Sequence, residues 1–215
     1  MAYFIPDGTR FAIATATGAP VTVTGISNAT TAVVSAAGHG LTAKAPFILM
    51  SGWEDLNEGV FRAASPTTGT FELEGVDSSN IVTFPTGSGG GSLIPVTTWT
   101  EIQQVLNVNT SGGEQQYAEA EPLAQKYSVR IPTRFSAQSM ELEIGDDPTL
   151  PGYVALINAS RANKPVAIRM AQPGGAVAYG YGYISVSEMP QLQKGQVNRV
   201  KASIALQRPI RRYAN

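Results

Sequence analysis

Few side chains in this sequence are equipped for chemistry, and their surroundings decide what they can do. His39 is the single histidine and stands between Gly38 and Gly40. General acid–base work needs a partner within hydrogen-bond reach, and no recognisable motif places a serine or carboxylate beside it, so it reads as a turn residue. Zinc needs several nitrogen or sulfur ligands, which one histidine and no cysteine cannot provide. Asp146 and Asp147 could form a calcium ligand set or an acid dyad, but they lie just ahead of Pro148 and Pro151. Capping of a helix accounts for both without further assumptions. No catalytic, cofactor-binding or metal-binding residue is assigned, no cofactor is expected, and the chain is not expected to be an enzyme.

Other constellations are better suited to contact than to catalysis. Glu141 and Glu143 share one strand face at two-residue spacing, and Arg199 and Lys201 do the same. Two readings stay open: cross-strand ion pairs worth about 0.2–1 kcal/mol each, or an acidic stripe reserved for an open surface. Tyr179, Tyr181 and Tyr183 form a row opposite Gly180 and Gly182. Such a row can stack on sugar rings, but tyrosine is also enriched at interfaces, and packing is the preferred reading. Residues 107–121 contain Asn107, a Ser111-Gly112-Gly113 tip, Glu114, Tyr117, Glu119 and Glu121, with no base and no core periodicity. A structureless stretch of this length is uncommon unless functional, and it is expected to be a loop that orders only against a neighbouring subunit. From Lys194 onward there are six bases, among them Arg208, Arg211 and Arg212, and no acid. A basic end and an acidic loop satisfy each other either across the fold or between copies, and head-to-tail use of two unlike surfaces generates rings. These residues are the assembly candidates.

Composition agrees with a contact role. Charged residues make up 14% of the 215, well below the roughly 25% usual in soluble domains. A surface of Thr, Ala, Ser and Gly suits packing against like copies, because a buried charge costs several kcal/mol unless paired. The net charge of −1 gives no basic field to hold nucleic acid. The N-terminus does not read as a secretion signal, since Pro6 and Asp7 occupy the place of a positive n-region. No apolar run approaches the ~20 residues that span a bilayer, so a soluble protein without membrane contact, made in the cytoplasm, is expected.

The elements that must position these residues are mostly strands. Between Gly18-Ala19-Pro20 and the run Gly87-Ser88-Gly89-Gly90-Gly91-Ser92, short apolar stretches alternate with turn residues, as in Phe71 and Leu73 against Glu72 and Glu74. Residues 20–86 therefore read as a small inserted all-β module, 87–92 as a flexible Gly/Ser linker, and 1–19 with 93–215 as the core. In the core, Ile131, Thr133 and Phe135 carry one apolar phase, while Met140, Leu142 and Ile144 carry the other. That one-residue change implies a kink near Gln138-Ser139. Tyr153, Leu156, Ile157 and Ser160 follow helical spacing between Pro148 or Pro151 and Asn163-Lys164-Pro165. The fold class expected is mainly β: a β-sandwich or rolled-sheet core with one flanking α-helix, plus the small inserted module.

The runs Gly38-His39-Gly40-Leu41, Phe47 to Trp53, Leu56 to Arg62 and Gly69 to Ser79 resemble an accessory β-module found in tail proteins of long-tailed bacteriophages. The strands of 131–144, the helix of 148–163 and the closing strands to Leu206 are similar in layout to the major tail tube proteins of siphovirus-type phages. The resemblance covers most of the chain and brings no short motif, so no site residue carries over from it. It implies a virion protein, synthesised and assembled in the bacterial host cytoplasm. It would form hexameric rings stacked into a hollow tube, with other tail proteins at the tube ends and the module projecting outward. DNA would pass through without specific binding, and Glu141 and Glu143 become candidates for facing that lumen. The alternatives are a carbohydrate-binding or adhesion β-module using the tyrosine row, or another phage tail structural protein such as a completion or decoration protein.

Overall fold

The computed structural model describes residues 7–124 and 126–214. Residues 1–6 (Pro6 among them), 125 and 215 lie outside that description, and with them the outer ends of the expected core segments.

In chain order, β1 (Arg10–Thr17) is followed by the short strands β2 (Val21–Val23), β3 (Gly25–Ile26) and β4 (Val33–Ser35). Next come β5 (Pro46–Ser51), a single 3-10 turn at Glu54–Leu56, β6 (Gly59–Ala64) and β7 (Thr70–Leu73). The long β8 (Gly91–Ile102) leads to β9 (Val105–Ser111), β10 (Gln115–Ala120), β11 (Val129–Phe135) and β12 (Ser139–Gly145). The helix α1 (Pro151–Ala162) precedes β13 (Val166–Ala171), β14 (Val177–Val186), β15 (Arg199–Leu206) and β16 (Arg211–Tyr213). One antiparallel sheet runs in the order β3-β4-β7-β6-β5-β8-β1-β13-β14-β15-β12-β9, with β16 added to β14 and β2 to β8. Strands β10 and β11 form a separate two-stranded ribbon. The mainly β class with one helix is what the alternating patterns predict.

Strand β8 belongs to both halves of the sheet. Gly91 to Pro95 pair with β5, and Val96 to Ile102 pair with β1. This corrects the flexible linker expected at 87–92. Gly91 and Ser92 are already strand residues, and the Gly52 N–H donates to the Gly90 carbonyl at 2.9 Å. The glycines serve close approach instead: a Cβ on Gly91 would lie 2.0 Å from the Met50 carbonyl oxygen.

Three apolar clusters follow from the sheet. Phe47, Trp53, Phe61, Phe71, Leu73 and Leu93 are buried together inside the 20–93 segment. Ile13, Leu142, Ile144, Ile168, Val200 and Ile204 lie under α1, which contributes Leu156. Burying a side chain of this size is worth about 1.5–3 kcal/mol. A third cluster joins the two regions: Ile48 and Val60 meet Ala167, Tyr179, Tyr181 and Tyr213.

The helix starts at Pro151, whose fixed φ suits a first helical position, and ends at Asn163 in the left-handed region (φ 49, ψ 43). The aspartates do not cap it, which corrects the expectation for that pair. Asp147 accepts from the Thr149 N–H at 3.0 Å and the Thr149 hydroxyl at 2.6 Å, closing a turn ahead of the helix. Asp146 accepts from the Tyr153 hydroxyl at 3.3 Å. Gly152 lets the helix lie on the end of β8: a Cβ there would stand 2.3 Å from the Glu101 carbonyl oxygen.

Candidate functional site

Residues 105–145 form a kinked hairpin, which corrects the loop expected at 107–121. Asn107 and Ser111 lie in β9, paired with Glu143 and Ser139 of β12, while Tyr117 and Glu119 lie in β10, opposite Pro132 and Arg130 of β11. Cross-strand backbone bonds order the segment, so no apolar stripe was needed. The two halves meet at Gly112 and Gly113, both at φ 82. A Cβ on Gly112 would sit 1.9 Å from the Ala137 carbonyl oxygen, so the chain crosses its partner strand here in a way only glycine permits. Gly113 donates to the Ser136 carbonyl at 3.2 Å, and Ser136 donates back to Glu114 at 2.9 Å.

Beyond the kink, β10 and β11 form an arm without a core. Every residue of β11 is exposed, so the apolar phase of Ile131 and Phe135 faces no interior. Tyr117 is 58%, Ile131 51% and Phe135 64% accessible. One face of the ribbon sets Ala118 and Ala120 against Ile131 and Val129; the other pairs Glu119 with Arg130 at 3.9 Å. An isolated two-stranded ribbon is marginal in water. Glu121 follows directly after β10.

Of the two readings of Glu141 and Glu143, ion pairing is formed. Lys201 Nζ reaches Glu141 at 2.7 Å and Glu143 at 3.7 Å, and Arg199 reaches Glu143 at 3.5 Å. The hydrogen bond to Glu141 is the main cause that raises the Lys201 pKa. Around this ladder the sheet face is small and polar. Asn107 and Asn109 lie across from Glu143 and Glu141, Ser203 lies across from Glu141 on the other side, and the Ser111 and Ser139 hydroxyls are 2.8 Å apart. The opposite face of the same strands packs under α1.

Two of the six basic residues from Lys194 onward, Arg208 and Arg211, turn toward residues 54–61. Arg208 Nε donates to the Asn57 carbonyl at 3.2 Å, and its guanidinium stands 3.8 Å from Glu54. Arg211 lies over the Phe61 ring, 4.4 Å from its centroid, and burial lowers its pKa. Arg212 is exposed. Tyr213 completes the contact: its hydroxyl accepts the Arg62 N–H at 3.2 Å, and the Arg62 guanidinium lies 4.8 Å from its ring centroid. Arg62 is buried, ion-paired with Glu74 and bonded to the Ala214 carbonyl at 3.2 Å. The hydrogen bond that Arg62 donates to Glu74 is the main cause that raises its pKa.

Sequence reasoning missed the Arg62, Glu74 and Tyr213 group. Its one signal was Glu74 alternating with the buried Leu73; the partner on β16 is remote in the chain. Tyr179 and Tyr181 are buried beside this group while Tyr183 is exposed, so two of the three rings are packed and cannot stack on a sugar. His39 is in a turn as expected, yet it is buried: its Nδ1 accepts the Leu41 N–H at 3.0 Å and its Nε2 donates to the Thr67 carbonyl at 2.9 Å.

Among the described residues no group of three or more His, Cys, Asp or Glu is placed to hold a metal ion, and no helix is long and apolar enough to cross a membrane. No curated protein sequence matches the chain. A chain in a cryo-EM structure of the 6-fold symmetrised anti-feeding prophage baseplate is similar at 12% identity and a TM-score of 0.39, over 55% of this chain and 86% of that one. That likeness is too distant to bear on function. The family described as phage tail tube protein, TTP, matches residues 51–215. This is more than half of the chain, which therefore belongs to the phage tail tube protein family and is a phage tail structural protein.

Proposed function

We propose that the protein is the repeating subunit of a siphovirus-type tail tube, closing into six-membered rings that stack around a channel for DNA. The observation that carries this reading is the two-faced sheet at β9, β12 and β15. One face is sealed by α1, and the other is small, polar and charge-balanced, with Glu141 and Glu143 held by Arg199 and Lys201. A lumen lined by such a face presents no unpaired cation to grip phosphates, which suits passage of DNA without specific binding. The free edge of β9 and the unpartnered arm supply backbone groups and apolar area for neighbouring copies. The family membership supports a place in the virion tail, with assembly in the host cytoplasm and other tail proteins at the tube ends.

Negative-stain microscopy of the purified protein at high concentration tests the reading. Tubes or six-fold rings are expected. Dispersed monomers under all conditions would overturn it.

A further inference from the structure

We propose that the cleft between the inserted segment, the arm root and the turn before β16 receives the acidic stretch Glu114–Glu121 of a second copy, anchored by Arg211. The inference rests on the tube-subunit reading above and names the surface that meets the arm.

The cleft is large, about 1240 Å³, and its walls come from distant parts of the chain. Phe61, Val76 and Phe84 line the inserted side, Phe135 the arm side, and Leu206 to Arg211 the third side. Arg211 is the unusual member. Its guanidinium is stacked on Phe61 and partly stripped of water, yet no carboxylate among the described residues lies within ion-pair distance of it. A guanidinium brings five donors and no acceptor, and a partly buried charge without a partner is costly. Three acids stand on the inserted wall. Glu54 faces Arg208 at 3.8 Å, and Asp77 accepts the Ser79 N–H at 2.9 Å. Asp55 attracts Arg211 from beyond ion-pair distance, and burial outweighs that attraction.

The occupant follows from charge and exposure. Residues 114–121 carry Glu114, Glu119 and Glu121 with no base. Neither Glu114 nor Glu121 has an ion-pair partner among the described residues, and Tyr117 between them is 58% accessible. The chain's own stretch does not fill its own cleft. The arm contributes Gly113 and residues 133–138 to the lining but none of 114–121. A neighbour's arm can bring carboxylates to Arg211 and its tyrosine to the apolar wall. Arm into cleft joins two unlike surfaces, so each copy offers both halves and the contact propagates.

The absence of cysteine makes the test direct. Two single-cysteine variants, Ala120→Cys on the arm and Gln207→Cys on the cleft, are mixed, assembled and oxidised. The expected product is a disulfide-linked heterodimer, absent when either variant is treated alone. In parallel, Glu114 and Glu121, which have no ion-pair partner among the described residues, are changed to Gln, which spares the fold because both are exposed. The melting temperature should be unchanged and the protein concentration needed for assembly raised at least tenfold. Assembled material that gives no cross-link, or an unchanged assembly concentration in the double variant, overturns the arm-into-cleft contact and leaves the tube reading intact. Failure of the unmodified protein to assemble at all overturns the tube reading, and this inference with it.

Discussion

Buried polar residues carry information that neighbouring letters do not, and His39 is the clearest case. Its flanking glycines placed it in a turn, but its acceptor Thr67 lies 28 residues away and its ring packs edge-on against Phe71 at 5.0 Å. Only tertiary structure brings those groups together, so the burial was not legible. His39→Ala strands the Leu41 N–H and the Thr67 carbonyl and opens space beside Phe71. Leaving a buried backbone group unsatisfied costs about 1–3 kcal/mol, so a loss of roughly 2–4 kcal/mol in urea unfolding is expected once the cavity is included. Fluorescence of Trp53, buried in the same cluster, reports it. A loss below about 0.5 kcal/mol would show that the two bonds contribute nothing. The glutamates teach the same lesson from the other side: two-residue spacing put Glu141 and Glu143 on one face, but only the register of β12 against β15 chose their partners.

Elements with one buried face were readable, because burial imposes a period. The helix from Pro151 to Asn163 and the alternation of Val200, Ala202, Ile204 and Leu206 both appear as the pattern implies. Only half of the arm was readable: the alternation of Ile131, Thr133 and Phe135 showed the strand β11, though not that it lies outside the core, while β10 has no buried face and takes its order from backbone pairing. The arm's kink was hidden in a Gly-Gly pair that looked like a mobile tip. Gly112→Ala forces a side chain toward the Ala137 carbonyl at a φ of 82, a conformation that costs a non-glycine residue roughly 1–2 kcal/mol before any clash. The arm is expected to swing out of line. Tube formation should fail while the transition of the cluster under α1 stays cooperative, and hydrogen exchange of β10 and β11 amides should quicken. Normal tubes from this variant would show that the arm's direction is immaterial.

At the level of the whole molecule, the inserted segment holds its own aromatic core but shares β8 with the rest of the sheet. We therefore expect a fragment of residues 20–95, which retains that half of β8, to fold alone with native near-UV circular dichroism. A non-cooperative melt of the fragment would remove the case for a module. The converse deletion of 20–86 is expected to leave a core that aggregates, because Tyr179, Tyr181 and Tyr213 lose their cover. The clasp of Tyr213 on Arg62 has a consequence in time. The two are 151 residues apart in the chain, and ribosomes add about 5–20 residues per second. For roughly 8–30 s, a nascent chain carries an insert tied to the rest of the sheet through β8 alone, without the clasp. The cleft beside Arg211 does not exist during that interval, because its third wall has not been made. If the arm enters that cleft, a growing chain can offer an arm to its finished neighbours but cannot yet receive one, and translation would order the steps by which copies join.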